Sequence, residues 1–303
     1  MSKVTVNKVG TLTGHRDCVY GVVTGSEHHE VFSSAGDGMV VKWNLKDPDN
    51  GELVAKLPNS VYALHYLKES DVLMAGQNFE GIHLLDYREK KEIRSLKVTS
   101  KAIFDICSLG ETVFVASGDG SVYVVDMNSW RIIHRLEHAQ SSARCIAINL
   151  ARMEMAVGYS DNAIRVFSLV DYQLTKSLNK HQNSVFSVAY DSSGRFLLSG
   201  SRDAHLKIWD STSGYSLEED IVAHMYTINH IAFSPNNKHF VTCSMDKSIK
   251  VWSWPERKLI KVIDKARFAG HGTSVNKLAW TSFNDQLVSA SDDRTLSVWD
   301  LIF

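Results

Sequence analysis

The sequence has almost no net charge, since 33 Lys and Arg residues face 34 Asp and Glu residues in a chain of 303. Nucleic acids and anionic membranes are strongly negative, and the proteins that bind them need a basic surface. We therefore expect no nucleic acid and no membrane among the partners of this protein.

Cysteine is also scarce, and its positions form no motif. Cys18, Cys107, Cys145 and Cys243 are far apart and include no CxxC pair, and scattered cysteines are usually small buried apolar residues. The sequence lacks an apolar secretory leader, an apolar window long enough for a transmembrane helix and an Asn-x-Ser/Thr sequon. Together these absences favour a reducing, cytoplasmic (intracellular) location.

No segment has the run of about ten residues at a 3.6-residue period that an α-helix requires. Short apolar runs instead alternate with breaks at Gly, Asp, Asn and Ser, which predicts an all-β fold. In residues 196–210, two apolar runs flank a polar turn, which is the sequence form of a β-hairpin. Further runs at 185–190 and 215–217 predict two more strands in the same region.

This hairpin recurs along the whole chain. Aligned on the last apolar position of each copy, seven residues form a column: Trp43, Leu85, Val125, Phe167, Trp209, Trp252 and Trp299. Successive members are 40 to 47 residues apart, and a regular period of this length is typical of a propeller or a solenoid. Seven such units account for residues 1–303, which predicts a single domain.

The beginning of the chain supplies a spare strand. Residues 8–12 precede Gly14-His15 in the same way that residues 259–263 precede Gly270-His271. The first strand can therefore complete the last unit of the repeat. Such a pairing closes a ring and removes unpaired edge strands, so we expect a closed, seven-bladed β-propeller.

Four of the units share a set of polar and aromatic positions. In each, a Ser or Thr lies four residues before an Asp, and a Trp lies six residues after it. The sets are His15, Ser33, Asp37, Trp43; His181, Ser199, Asp203, Trp209; His224, Thr242, Asp246, Trp252; and His271, Ser289, Asp293, Trp299. With GH pairs at 14–15 and 270–271 and WD pairs at 209–210 and 299–300, the chain resembles the WD-repeat β-propeller family over essentially its whole length.

The resemblance implies that each set forms a buried relay, from the Trp N–H through the hydroxyl and the His to the Asp carboxylate. The residue types fit, because Trp only donates, carboxylate only accepts, and hydroxyl and imidazole do both. His, Ser and Asp also compose catalytic triads, but a catalytic site is needed once and this set occurs four times. We therefore interpret the relay as structural and expect no catalytic residue.

Units two, three and four lack most of the set. Unit three keeps Asp119, unit four keeps His138 and Asp161, and unit two has Phe79 near the Asp position. A half-satisfied buried network is less favourable than an apolar one. We therefore predict that apolar packing mainly holds these three blades.

No motif predicts a metal or a cofactor. The segment from His134 to His138 matches the H-x-x-E-H pattern of zinc peptidases, but that pattern works on a helix and here it runs from a predicted strand into a turn. We interpret His28-His29 as a turn at a surface tip rather than as a metal contact. Strings typical of a nucleotide-binding loop or a nucleophile elbow are absent from the sequence.

We expect a partner to bind the face that carries the His turns and the turns between second and third strands. One position near the start of each first strand gives the column Tyr20, Tyr62, Phe104, Arg144, Phe186, Asn229 and Asn276. Aromatic residues and Arg dominate interface hot spots, although these residues could instead pack between blades. Further candidates for the same face are Arg202, Met245 and Asp292, with Arg267 and Phe268 in the longest insertion.

These features predict a non-enzymatic protein-protein interaction scaffold. A rigid, monomeric propeller would present a preformed channel rim to a peptide or loop of a protein partner, which lowers the ordering cost of binding. The alternative is a propeller enzyme or small-ligand binder that uses the central channel. An enzyme would need convergent acids, a metal cluster or a lone nucleophile, and the column at the rim contains none of these.

Overall fold

Twenty-eight β-strands form seven four-stranded sheets in the computed structural model, which describes residues 4–303. We call these sheets blades one to seven, and we number the strands within a blade from first to fourth. The all-β, seven-bladed propeller predicted from the sequence is confirmed. The first three residues of the expected 1–303 domain lie outside the described part.

The first strand of the chain belongs to the last blade, and the next three blades each use four consecutive strands. Strand β1 spans Thr5–Thr13. Blade one contains β2 (Val19–Thr24), β3 (Glu30–Ala35), β4 (Met39–Asn44) and β5 (Asp47–Lys56). Blade two contains β6 (Val61–Leu67), β7 (Val72–Gln77), β8 (Gly81–Asp86) and β9 (Lys91–Leu96). Blade three contains β10 (Ile103–Leu109), β11 (Thr112–Ser117), β12 (Ser121–Asp126) and β13 (Arg131–Glu137).

The remaining blades follow the same order. Blade four contains β14 (Ala143–Asn149), β15 (Glu154–Tyr159), β16 (Ile164–Ser168) and β17 (Leu174–Leu178). Blade five contains β18 (Val185–Tyr190), β19 (Phe196–Ser201), β20 (His205–Asp210) and β21 (Ser216–Val222). Blade six contains β22 (Ile228–Phe233), β23 (His239–Ser244), β24 (Ile249–Ser253) and β25 (Lys258–Ile263). Blade seven contains β26 (Val275–Trp280), β27 (Leu287–Ser291), β28 (Thr295–Ile302) and, as its fourth strand, β1.

The middle strands of a blade are buried, and its fourth strand is largely exposed. In blade five, β19 and β20 are buried at five of six positions each, whereas β21 has no buried position. Strands covered on both faces have nearly continuous apolar sequences. This burial explains why the hairpin formed by β19 and β20 is so clear in the sequence.

The two ends of a blade carry different turns. Because β18 and β19 are antiparallel, with Val185 opposite Ser201, the turn before the first strand lies beside the turn between the second and third strands. We call this the histidine end of the blade. The opposite end carries the turn between the first and second strands and the turn between the third and fourth.

Strand β1 pairs with β28 and completes blade seven. The pairing runs antiparallel from Thr5 opposite Ile302 to Thr13 opposite Thr295, with an irregularity between Lys8 and Gly10. The strand buries apolar side chains, among which Leu12 is fully buried. The expected closure by the N-terminal strand is therefore confirmed.

Two compact units can be distinguished by their internal contacts. One consists of the residues up to Asn78, Ile82–Ser95 and Ala232–Phe303, and the other consists of Phe79–Gly81 and Leu96–Ile231. In the first unit, one core cluster joins Val22 of blade one to Val288 of blade seven. In the second, one core cluster joins Phe114 to Phe167. Apolar side chains of adjacent blades thus share a core within each unit.

In the described part of the chain, helical structure is confined to two short pieces. The helix α1 (Lys265–Phe268) lies in the insertion before blade seven, and a 3₁₀ turn covers Ser211–Ser213. Asp264 caps α1 by accepting a hydrogen bond from the Arg267 amide at 2.9 Å. Within residues 4–303 there is no helix with the length and apolarity that crossing a membrane requires. The cysteines are free thiols.

Candidate functional site

The predicted relay residues of blade five form a continuous chain of hydrogen bonds. Trp209 donates its indole N–H to Ser199 Oγ at 2.9 Å. Ser199 Oγ lies 2.8 Å from His181 Nε2, and His181 Nδ1 lies 2.9 Å from an Asp203 carboxylate oxygen. The indole N–H can only donate and the carboxylate can only accept, which sets the direction of every bond between them. The hydroxyl therefore donates to Nε2, and the Nδ1–H donates to Asp203. The imidazole in this arrangement is neutral.

Blades one and seven contain the same chain of bonds, and part of it is seen in blade six. The distances from hydroxyl to Nε2 are 2.7 Å in blade one and 2.8 Å in blade seven. The indole donates to the Ser or Thr hydroxyl in all three blades, through Trp43, Trp252 and Trp299 at 2.8, 3.0 and 2.9 Å. The hydroxyl-bearing residues Ser33, Thr242 and Ser289 are fully buried. A substrate could not reach them, which fits a structural role.

Burial and hydrogen bonding shift the pKa values of the relay in opposite ways. Burial lowers the pKa of His181, although Asp203 opposes that shift. Burial alone would raise the pKa of Asp203, but hydrogen bonds from His181 and from the amides of Gln182 and His205 outweigh it and hold the pKa well below its usual range. The relay therefore keeps a neutral His against an ionised Asp.

The lowered pKa values of His15 and His181 predict that mild acid destabilises the fold. The unfolded chain takes up protons on His near pH 6.5, whereas the folded chain resists protonation at both residues because they are buried. Below about pH 6.5 the unfolded state then binds more protons, and the free energy of unfolding falls. Urea unfolding at several pH values between 7.5 and 5 should show a smaller decline in His181→Gln than in wild type. Equal declines would contradict the argument.

Blade three uses a different set of donors for its turn aspartate. Asp119 accepts hydrogen bonds from the Thr99 hydroxyl at 2.9 Å and from the Tyr123 hydroxyl at 2.7 Å. Val115 and Val125 fill the positions of the relay hydroxyl and Trp, and both are fully buried. The apolar centre is as predicted, but the two hydroxyls around Asp119 were missed because they lie outside the repeat columns.

Blades two and four also replace the relay with apolar side chains. In blade four, Asp161 pairs with Arg165 at 2.7 Å, while the His138 ring contacts Phe167, with their centroids 5.2 Å apart. In blade two, Leu85 is buried at the position of the relay Trp, and Phe79 adopts a left-handed backbone conformation with φ of 72°. The exposed ring of Phe79 takes no part in the core.

In the second unit, three residues of the predicted rim column form one cluster. The Arg144 guanidinium carbon lies 4.1 Å from the ring centroid of Phe104 and 5.1 Å from that of Phe186. Arg144 Nε also donates to Ser160 Oγ at 2.8 Å. All three column residues are partly exposed at the histidine ends of blades three, four and five. The structure therefore holds a cation between two aromatic faces.

In the first unit, the same column gives an aromatic pair and a bound amide. The rings of Tyr20 and Tyr62 meet edge to face with centroids 4.5 Å apart. The Asn276 amide donates to the Asp292 carboxylate at 2.7 Å and to the Val19 carbonyl at 3.0 Å. These residues are partly exposed, so packing between blades and access from solvent occur together in this part of the column.

The other candidates differ in how accessible they are. Arg202 and Met245 are exposed, and Asn229 is partly exposed. Arg267 pairs with Asp264 inside its own loop, with the shortest distance at 2.7 Å. Phe268 packs against a core cluster of the first unit. Arg267 is thus paired within the insertion, and Phe268 anchors the insertion to the core.

A cavity that the sequence did not reveal lies at the opposite end of the blades of the first unit. Its volume is about 780 Å³, which is within the range of ligand sites. Its lining includes Glu27, His28, Tyr66, Lys68, Phe233 and Trp280. Most of these follow or end the first strands of their blades, and the recurrence of aromatic residues at that position is the signal that could have indicated it.

The H-x-x-E-H segment contains no helix. Residues 134–137 belong to β13, and His134 stacks on Tyr172 with centroids 5.1 Å apart. On an extended strand, side chains four residues apart are too distant to share one ion. The segment therefore provides no zinc site of the peptidase type.

A known family model matches the parts of the chain that contain the complete relay. The family model "WD domain, G-beta repeat" matches residues 6–44, 172–210, 216–253 and 263–300, which together make up about half of the sequence. Each match contains the hydroxyl, Asp and Trp positions of one of blades one, five, six and seven. The first three strands of blades two, three and four, which lack the complete relay, lie outside the matches.

Several curated proteins are similar to this chain. Periodic tryptophan protein 2 of Saccharomyces cerevisiae is 28% identical over 209 residues, which cover 68% of this chain and 21% of that protein. THO complex subunit 3 of Arabidopsis thaliana is 22% identical over 210 residues, which cover 69% of this chain and 66% of that protein. The chain thus spans from about a fifth to two thirds of the length of these relatives.

A solved structure shows the same fold. The WD40 β-propeller domain of Doa1 is similar with a TM-score of 0.87, covering 97% of each chain at 19% sequence identity. Identity this low supports the fold and nothing more specific. Together with the four repeat matches and the relay hydrogen bonds, it leads to one conclusion: the chain belongs to the WD40-repeat family.

Proposed function

We propose that this protein is a non-enzymatic scaffold that binds a peptide or loop of a partner protein at the histidine ends of its blades. The observation that carries the proposal is the position of Arg144 between Phe104 and Phe186. These partly exposed side chains come from the first strands of three consecutive blades.

The Arg144 cluster combines the properties of an interface hot spot. Arg and aromatic residues carry a large share of binding energy at protein interfaces. The guanidinium is planar, so stacking on two rings and the bond to Ser160 fix its orientation before a partner arrives. A group ordered in advance loses less entropy on binding. The cluster therefore supports recognition of a partner segment by a preformed surface.

The family supports the same function. WD40 propellers are generally non-catalytic scaffolds, and one relative of this chain is named as a subunit of the THO complex. The His, Ser and Asp residues of this chain that resemble a triad are engaged in the relay, and its hydroxyls are buried. A binding role requires only the exposed surface around the relay, and the relay keeps that surface rigid.

The test compares wild type with two rim variants, Arg144→Ala and the double variant Phe104→Ala/Phe186→Ala. Each protein is immobilised, proteins captured from an extract of the source cells are quantified by mass spectrometry, and the Kd of the purified partner is then measured. We expect Arg144→Ala to weaken that partner by about 30-fold, which corresponds to a hot-spot loss of about 2 kcal/mol.

The matched control is Ile133→Ala, an exposed apolar position on the fourth strand of blade three. It should retain the partner with unchanged affinity. Circular dichroism must show that the rim variants keep the wild-type melting temperature. If the folded rim variants bind every partner as wild type does, the rim is not the binding surface.

A further inference from the structure

We propose that Glu27, His28 and His29, which lie together in the turn between the first and second strands of blade one, bind a zinc-like divalent cation. The proposal concerns the opposite end of the blade and does not depend on partner binding at the histidine end. One ligand atom from each of the three residues lies within 4.8 Å of the other two. The proposal departs from the interpretation of the sequence, which favoured a surface turn over a metal contact.

The backbone of the turn is held in place by hydrogen bonds on both sides. The Glu30 amide donates to the Glu27 carbonyl at 2.9 Å, and the Gly25 amide donates to the Glu30 carbonyl at 3.0 Å. The His29 carbonyl accepts from the Leu45 amide at 2.9 Å, which ties the turn to the end of β4. These hydrogen bonds therefore fix the backbone that carries the three metal-ligand side chains.

Phe283 restricts both imidazole rings. Its ring centroid lies 5.5 Å from that of His28 and 6.2 Å from that of His29, and the two imidazoles are 5.3 Å apart. Phe283 belongs to the corresponding turn of blade seven, far away in the sequence. Packing against a third ring reduces the rotamers available to the two His residues. The entropy lost on metal binding is correspondingly smaller.

The hydrogen bonds of the turn leave its metal-ligand atoms available for an ion. His29 Nδ1 is buried and has no hydrogen-bond partner in the described structure. A buried nitrogen without a partner costs free energy, and coordination through Nδ1 would supply the missing interaction. The neighbouring Glu30 carboxylate is already paired with Lys42 at 2.9 Å, so Glu27 is the carboxylate that remains for the ion.

Two imidazoles and one carboxylate form a donor set that zinc uses in sites with an open coordination position. Zinc–nitrogen bonds of about 2.0–2.1 Å place tetrahedral ligands about 3.3 Å apart, so small side-chain rotations bring the set together. Glu27 and His28 also line the 780 Å³ cavity. The open position would face that cavity, where a donor atom of a bound molecule could complete the coordination.

The test is a zinc titration by isothermal calorimetry of the full chain without a polyhistidine tag. Wild type should bind one zinc ion per chain, and His29→Ala and Glu27→Gln should each weaken binding by about tenfold or more. The matched control is His134→Ala, which removes a ring stacked on Tyr172 in another blade. Its affinity should equal that of wild type.

Urea unfolding of each variant without metal separates folding from binding. Because Glu27 and His28 are exposed at a turn, we expect Glu27→Gln and His28→Ala to keep wild-type stability, so that they remain informative if His29→Ala does not. The proposal is overturned if the calorimetric titration shows that wild type does not bind one zinc ion per chain. It is equally overturned if Glu27→Gln and His28→Ala bind zinc as tightly as wild type, since the ion would then lie elsewhere.

Discussion

Replacement of Asp203 by alanine is expected to lower the free energy of unfolding by about 3 kcal/mol. The carboxylate accepts hydrogen bonds from His181 Nδ1 at 2.9 Å and from the amides of Gln182 and His205 at 2.8 and 2.9 Å. Alanine would leave the buried His181 N–H unpaired, which costs about 1–3 kcal/mol, and would also remove the acceptor of the two amides. Equilibrium urea unfolding followed by Trp fluorescence measures the loss.

Asp161 of blade four is the matched control, because it occupies the same turn position without the relay. Its carboxylate pairs with the Arg165 side chain and accepts from the Ala163 amide at 3.2 Å. An ion pair this open to solvent contributes about 1 kcal/mol or less, so Asp161→Ala should cost much less than Asp203→Ala. Similar losses in the two variants would show that the relay in blade five adds no stability.

Replacement of Leu12 by alanine should also destabilise the protein, by about 3 kcal/mol, because it creates a cavity in a fully packed core. Leu12 is fully buried on β1, opposite Leu296 of β28, and belongs to a core cluster of the first unit. The same urea experiment gives the free energy of unfolding.

The control on the same strand is Val9→Ala. Val9 is 46% exposed, and surface substitutions of this kind usually change stability by about 0.5 kcal/mol or less. The difference between the two variants reports what the inward face of β1 contributes to blade seven. An equally small effect of Leu12→Ala would mean that the first strand is not needed to complete the fold.

The repeat could be predicted from sequence because it depends on patterns within short segments of the chain. Buried middle strands such as β19 and β20 leave continuous apolar runs, and the relay requires the same residue types at the same spacing. The pairing of β1 with β28 could be predicted because residues 8–12 precede a Gly-His pair as the fourth strand of blade six does. These features depend on short segments and on the period, so a single sequence contains them.

Contacts between distant segments could not be predicted in the same way. Thr99 and Tyr123 bind Asp119 from positions outside every repeat column, and no period points to them. Phe283 meets His28 and His29 only because blades seven and one are neighbours. Arg144 belongs to the predicted rim column, but its contacts with two rings depend on side-chain conformations that the spacing does not define.

The pairing of the first strand with the last also sets an order of events on the ribosome. At about 5–20 residues per second, synthesis of the segment from β1 to β28 takes about 15–60 s. During that time β1 has emerged while β28, which holds Ile302 opposite Thr5, has not been made. An unpaired strand edge is a template for aggregation. A nascent chain of this protein therefore depends on β28, made much later, to protect the edge of β1.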